Sequence, residues 1–189
     1  MASILPLLVP FPGEAVVAAG APHRQPGTTI DIPDTDCQLK YVKYSALSVA
    51  ITVGCPALLN NTESGGALSV AASMGGHSTD ISLSGVERHA GMFLNTCAQG
   101  AQATTGGYGW ILSKGKLREL NAALGTTFKA KTTASMAQDA AMNVVADGKY
   151  AACSTGTKGT STAVAICESA TANSGSHEDV YIVGWHARR

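Results

Sequence analysis

Short apolar or alternating segments, separated by glycine, asparagine, aspartate and serine, make up most of the chain from Leu39 onwards. Alternation with a period of two and runs of β-branched residues are typical of strands, whereas clusters of Gly, Asn and Asp mark turns. The pattern predicts strands over residues 40–44, 49–53, 57–59, 67–70, 81–83, 90–95, 107–115, 140–145, 149–153, 163–168 and 180–185. We therefore expect an all-β fold, a small β-barrel or β-sandwich that occupies residues 37–189.

The end of the chain has a residue pattern similar to that of its middle. In both 90–110 and 163–185 an apolar strand is followed by a loop of small residues and then by a strand that carries Tyr, Gly and Trp. Two loose repeats of this kind suit a small barrel or sandwich. The repetition therefore supports an all-β fold.

Residues 117–124 admit two interpretations. Leu117, Leu120 and Leu124 have the spacing of one helical face, and Gly125 could end a helix there. A short apolar run after the turn at 114–115 could equally return as a strand, since short runs do not separate the two states. The sequence leaves this choice open.

Residues 1–36 predict an extended, proline-rich N-terminal arm. Prolines at positions 6, 10, 12, 22, 26 and 33 remove helical hydrogen-bond donors and favour extended backbone. The first residues are apolar, but no Lys or Arg precedes Arg24, which disfavours a signal peptide, and the stretch is too short to span a bilayer. We expect the arm to insert apolar side chains into a groove of a neighbouring subunit: Leu5, Leu7, Leu8, Val9 and Phe11. A disordered tail is the alternative.

The charge of the chain bears on its partners. Thirteen basic residues balance 13 acidic ones, so no basic field is present to attract nucleic acid or an anionic membrane, and neither is expected as a partner. Charged residues make up 14% of the chain, against about 25% in typical soluble domains. Either partners cover part of the surface, or Ser and Thr hydroxyls solvate it.

The motifs of common enzymes and cofactor sites are missing from the sequence. No G-x-S-x-G spacing occurs, and the nearest approach to a phosphate-binding loop, at 109–116, has an extra residue and bulky side chains. We interpret His177 as a loop residue and expect no catalytic, metal or cofactor site. A cysteine- or histidine-dependent enzyme is the rival interpretation, and it would need Cys97 or Cys153 beside an imidazole.

The five cysteines and the few aromatic residues suggest structural roles. The cysteines are odd in number and form no C-x-x-C pair, which disfavours a zinc knuckle or a disulfide framework and indicates synthesis in a reducing cytoplasm. We interpret four aromatic residues as core or subunit contacts: Tyr108, Trp110, Tyr181 and Trp185. An exposed aromatic platform that binds a sugar is the alternative.

The segment Ala90-Gly91-Met92-Phe93-Leu94-Asn95, a loop of small residues, and then Gly107-Tyr108-Gly109-Trp110-Ile111 resemble the capsid decoration, or cement, proteins of tailed bacteriophages. The resemblance covers roughly residues 39 to 185 and rests on the pattern of Gly and other small residues.

The resemblance implies a compact β-domain on the outer surface of the virion, made in the host cytoplasm. It also implies a homo-oligomer, often a trimer, that binds the major capsid protein and has no catalytic residues. The expected function is therefore to stabilise an icosahedral head by bridging neighbouring capsid subunits. A head fibre, spike or adhesin module that recognises a host carbohydrate is the alternative.

Overall fold

The computed structural model shows an all-β fold with one short helix, which confirms the prediction from the strand pattern. It describes residues 7–16, 22–45, 50–59, 69–72, 89–98, 107–145, 148–153, 163–168 and 177–183. No helix in this part of the chain is long and apolar enough to cross a membrane.

In the described ranges the chain forms, in order, β1 (Thr29–Asp31), β2 (Gln38–Ser45), β3 (Pro56–Leu59), β4 (Ser69–Ala72), β5 (His89–Phe93), β6 (Gly107–Lys116), α1 (Leu117–Leu124), β7 (Ala130–Lys131), β8 (Ala141–Val145), β9 (Lys149–Ala152), β10 (Ala165–Cys167), β11 (His177–Glu178) and β12 (Val180–Ile182). The strands from β2 to β6 form unit A, and those from β7 to β12 form unit B.

Strand pairing in unit A runs in a circuit. Strand β2 lies parallel to β4, and β4, β3, β5 and β6 then pair antiparallel in that order. Strand β6 also pairs antiparallel with β2 along almost its whole length, from Tyr44 opposite Gly107 to Gln38 opposite Lys114. Both sides of β2 are therefore hydrogen-bonded, which leaves little unpaired edge in this unit.

Unit B repeats the same order of pairing. A bridge between Thr132 and Tyr150 places the chain after β7 parallel to β9, and β9, β8, β10 and β12 pair antiparallel in that order. Strand β11, one residue before β12, pairs antiparallel with β7. Strand β12 also pairs with the end of β6, which joins the two units.

The correspondence between the units holds residue by residue. In unit A the Leu94 N–H donates to the Trp110 carbonyl, and in unit B the Glu168 N–H donates to that of Asp179. The strand pairings that both units share agree with this register. Equivalent pairs include Tyr41 and Lys129, Tyr44 and Thr132, Leu94 and Glu168, Gly109 and Glu178, and Trp110 and Asp179. The segments 90–110 and 163–185, whose sequences echo each other, contain the equivalent strand pairs β5–β6 and β10–β12.

Strand β6 lies between two hydrophobic clusters. On one face Trp110 and Leu112 join the larger cluster, which includes most buried residues of unit B. On the other face Ile111 joins a smaller cluster with Tyr44 and Phe93 of unit A. Because both of its faces are covered, β6 is buried along most of its length, and its middle, Trp110-Ile111-Leu112, is apolar at three successive positions rather than alternating.

The choice that the sequence leaves open at 117–124 is resolved as a helix. Leu117, Leu120 and Leu124 are all buried on one face of α1. Gly125 ends the helix in the left-handed conformation, with φ 67°, and its N–H donates to the carbonyl of Asn121. Packing of the leucine face against the sheets therefore selects the helical alternative.

Several strand predictions are wrong or shifted. Residues 50–53, in the predicted strand 49–53, contain only an isolated bridge between Ile51 and Cys97. The strand expected over 67–70 is found at Ser69–Ala72, and the one expected over 81–83 lies outside the described residues. His177, interpreted as a loop residue, lies in β11. Strands β1, β7 and β11 are only two or three residues long, too short for a hydrophobic period to reveal them.

Candidate functional site

An aromatic face on unit A is the starting point of the candidate site. The ring centroids of Tyr41 and Trp110, which lie opposite each other on β2 and β6, are 5.0 Å apart. Tyr108, two residues along β6, stacks on Tyr41 at 6.1 Å. Trp110 and Tyr41 are fully buried and Tyr108 is half-buried. Desolvation raises the pKa of the Tyr41 phenol above its usual value.

The equivalent face of unit B is charged. Lys129 stands where unit A has Tyr41, and its Nζ lies 2.5 Å from Oδ2 of Asp179, which stands where unit A has Trp110. Glu168 takes the place of Leu94, and burial raises the pKa of its carboxyl above the usual value. The aromatic face of unit A would lose the free energy of apolar burial if it faced water, so it needs a cover.

The cover is the segment of residues 7–16, which we name the strap. Leu8 packs into the same cluster as Tyr41 and Trp110. The strap then follows the chain after β5: the Gly13 N–H donates to the carbonyl of Leu94 at 2.6 Å, and that of Val16 donates to the carbonyl of Thr96 at 2.7 Å. These contacts make the strap a folded part of unit A.

Residues 22–28 complete the cover. The N–H of His23 donates to the hydroxyl of Tyr41 at 3.3 Å, and the main chains of Tyr41, Gly27 and Thr28 exchange two further hydrogen bonds. The guanidinium Nε of Arg24 donates to the carbonyl of Leu7 at 2.9 Å, which ties this segment to the strap. Both parts of the N-terminal region are thus held over one aromatic face.

Asn95 connects the strap to the body of unit A. Its Nδ2 donates to the carbonyls of Phe11 at 2.8 Å and Glu14 at 3.3 Å. Its Oδ1 accepts the backbone N–H of Trp110 at 2.8 Å. Asn95 is fully buried. The sequence does not identify Asn95 as an important residue, because a single asparagine at the end of an apolar segment does not reveal its long-range partners. Its amide is the polar link between the strap and the aromatic face.

The predicted arm residues separate into different environments. Leu8 is 1% exposed and packs in this chain's own core, so it is not available to a neighbour in this structure. Phe11 is half-buried against the same cluster. Leu7 and Val9 are 44% and 42% exposed, and for them partner binding stays a prediction. Leu5 lies outside the described residues.

The predicted aromatic residues also differ from one another. Trp110 is a core residue, and Tyr108 belongs to the covered face. Tyr181 is half-buried in β12, opposite Lys116 of β6. Trp185 lies outside the described residues. The structure therefore brings Tyr108 and Trp110 together beneath the N-terminal region.

The cysteines and imidazoles bear on the rival enzyme interpretation. All five cysteines lie in the described residues as thiols rather than disulfides, and four of them are buried, the exception being Cys153. The Cys97 thiol lies 3.7 Å from the Ala98 carbonyl, and the ring of His89 pairs with Tyr150. Within the described ranges no three His, Cys, Asp or Glu side chains are grouped as a metal site would require.

The buried pair of His89 and Tyr150 joins the two units. Nε2 of His89 lies 3.1 Å from the Tyr150 hydroxyl, which also donates to the carbonyl of Gly91 at 3.3 Å. Burial lowers the pKa of His89 from 6.5 to about 3. The folded protein therefore holds this imidazole in its neutral form at every pH above that value.

This depressed pKa predicts a loss of stability in acid. The unfolded chain takes up a proton on His89 below pH 6.5 and the folded chain does not, so stability falls as the pH drops from 6.5 towards about 3. One such proton contributes a slope of about 1.4 kcal/mol per pH unit. Urea unfolding across this range should show that His89→Gln reduces the slope, and a matched change at the exposed His177 serves as the control. An equal slope in both variants would contradict the assignment.

No protein-family model, curated protein sequence or solved structure matches this chain.

Proposed function

We propose that this chain is a virion structural protein of the decoration type, which binds the major capsid protein on the outside of an icosahedral phage head. One observation carries the proposal: the strap is anchored by buried contacts yet holds Leu7 and Val9 outwards. They are the large apolar side chains that are exposed among the described residues. An anchored segment that presents apolar side chains suits a contact between subunits, because little ordering entropy remains to be lost on binding.

Stabilisation of the shell would follow from mass action. A subunit that bridges neighbouring capsid subunits adds interface free energy only in the assembled state, and so favours that state. Once one contact is made, a second becomes effectively intramolecular, which strengthens attachment without stronger individual contacts. A homo-oligomer, with the trimer as our proposal, would multiply these contacts.

The finer architecture belongs to the same proposal. The circuit of pairings in unit A and its repetition in unit B support a small β-barrel for each unit. We propose that residues 1–36 act as the N-terminal arm on the domain formed by 37–189, with the strap as the anchored part of that arm. Its anchoring by Leu8 and Asn95 leaves the neighbouring side chains for a partner.

The carbohydrate-binding alternative has weaker support. It needs an exposed aromatic pair, but Trp110 is 0% exposed and Tyr108 is half-buried. Aromatic rings that bind sugars must present a face to solvent. The structural role therefore remains the better supported function.

Quantitative mass spectrometry of purified intact particles tests the proposed function. A fixed ratio of this chain to the major shell protein, near one or a simple fraction of it, is the expected result. A few copies per particle would contradict a symmetric decoration role and favour a spike or fibre. Absence from particles would overturn the proposal.

Replacing both exposed side chains of the strap, Leu7→Ser with Val9→Ser, should weaken attachment to particles at least tenfold without lowering the melting temperature by more than a few degrees. Each side chain would lose about 1 kcal/mol or more of apolar contact in the complex, while the isolated protein loses little buried area. Co-sedimentation with particles that lack the protein measures attachment. The double change Ala122→Ser with Ala123→Ser, on the exposed side of α1, is the control. Unchanged attachment of the strap variant would exclude this surface as the contact.

A further inference from the structure

Three buried oxygen atoms in the described residues of unit B have no hydrogen-bond partner: Oγ1 of Thr132, Oε2 of Glu168 and Oε2 of Glu178. Thr132 and Glu178 are 0% and 1% exposed, whereas Glu168 is half-buried. Glu178 lies opposite Ala130 in the pairing of β11 with β7, and Thr132 follows two residues after Ala130. Residues two apart on a strand share a face, so the side chains of Thr132 and Glu178 are diagonal neighbours, with Cα atoms about 7–8 Å apart. Side chains at two such positions can reach the same small guest.

The carboxylate of Glu178 is held in place on one side. Its Oε1 accepts the backbone N–H of Met136 at 3.2 Å, which leaves Oε2 as the unpaired atom. A buried polar oxygen without a partner costs about 1–3 kcal/mol, and a charged one costs more. Native structures rarely tolerate two such atoms on one face.

Unit A shows how the same two positions are satisfied without a guest. There Tyr44 replaces Thr132, and its hydroxyl donates to the carbonyl of Trp110 at 2.5 Å. Gly109 replaces Glu178, and a Cβ atom at Gly109 would lie only 2.9 Å from Cζ of Tyr44. In unit A an aromatic ring fills the place beside a glycine, whereas unit B puts two oxygen-bearing side chains there.

The two lysines that flank Ala130, opposite Glu178, have other partners. Nζ of Lys129 pairs with Asp179 at 2.5 Å, and Asp179 follows Glu178 directly, so it points to the opposite face of the strand. Nζ of Lys131 donates to Oγ1 of Thr52 at 2.6 Å. Neither lysine donates a hydrogen bond to Oε2 of Glu178.

We propose that unit B binds a monovalent hard cation, Na⁺ or K⁺, between Oε2 of Glu178 and Oγ1 of Thr132. Carboxylate and hydroxyl oxygens are ligands that hard cations prefer. A single carboxylate balances one positive charge, which favours a monovalent ion over a divalent one. The ion would satisfy both oxygens at once and tie β7 to β11. This site is independent of the proposed virion function.

Thermal unfolding of the full chain in three chloride salts at equal ionic strength tests the proposal. The salts are NaCl, KCl and tetramethylammonium chloride, whose cation is too large and too weakly coordinating for the site. Half-saturation near 10 mM would raise the melting temperature by about 3–6 °C at 100 mM of the bound ion. We expect this rise in NaCl or KCl for the unaltered protein.

Variants assign the effect to this site. Glu178→Gln and Thr132→Val should each abolish or strongly reduce the difference between salts, whereas Glu119→Gln, which removes a half-buried carboxylate of α1, should retain it. Two variants are used because either could fold poorly. Equal melting temperatures of the unaltered protein in all three salts would overturn the proposal and leave a trapped water as the guest. A salt difference that survives in both site variants would overturn it as well.

Discussion

Replacing Trp110 with alanine will lower the free energy of unfolding by about 3–5 kcal/mol. Trp110 is the largest fully buried side chain among the described residues, and its ring packs 5.0 Å from that of Tyr41. Its removal leaves a cavity beneath the strap, because the paired strands β2 and β6 cannot collapse to fill it. Urea unfolding followed by far-ultraviolet circular dichroism measures the loss.

Two variants control the Trp110 experiment. Trp110→Phe keeps an aromatic ring and removes an indole N–H that has no acceptor in the structure, so it should cost much less than alanine. Tyr181→Ala changes a half-buried residue and should also cost less. A near-neutral effect of Trp110→Ala would contradict the core assignment and revive the exposed sugar-binding platform.

Replacing Asn95 with leucine will destabilise the fold by about 3 kcal/mol or more and release the strap. The change leaves the Trp110 N–H without its acceptor and removes one of two donors from the carbonyls of Phe11 and Glu14. A buried donor left without a partner costs about 1–3 kcal/mol, and each lost hydrogen bond costs about 1 kcal/mol more. Hydrogen exchange at the amides of Gly13 and Val16, which donate to the chain after β5, reports directly on strap release.

Asn121→Leu is the matched control for this experiment. Asn121 also bridges two chain segments: its Nδ2 donates to the Phe128 carbonyl, and its Oδ1 accepts from the backbone of Phe128 and the hydroxyl of Thr126. Its replacement should destabilise the loop after α1 without speeding exchange in the strap. Equal exchange at Gly13 in both variants would show that Asn95 does not anchor the strap specifically.

The anchored strap changes the interpretation of the N-terminal region. Within residues 1–36, Leu8 packs into the core and β1 pairs with the start of β2. Removal of this region would uncover Tyr41 and Trp110, so it should lower the stability of the β-domain. Among the described residues, such a cover is seen over the aromatic face of unit A.

The local pattern of apolar, polar and turn residues predicts the fold class and most of the strands. Alternation and turn residues act between neighbours in the chain, so β2, β3, β5, β6 and β9 are predictable from their own residues. The sequence predicts α1 only in part. The leucine spacing and Gly125 indicate a possible helix, but whether the segment forms a helix or a strand depends on the sheets that bury its leucine face. The strand predicted over 49–53 is wrong for the opposite reason. Its β-branched residues favour a strand, but in the described part of the chain residues 50–53 pair only through the bridge of Ile51 with Cys97.

Sequence alone determined an all-β, turn-rich chain with an apolar and proline-rich start. Only the tertiary structure decided that Leu8 is buried while the adjacent Leu7 is exposed, because burial depends on which side of the strap meets the aromatic face. It also decided the roles of Asn95 and Glu178, whose partners or lack of partners arise from distant strands. Such roles cannot be predicted from the neighbouring residues in the sequence, because they depend on the register in which distant strands pair.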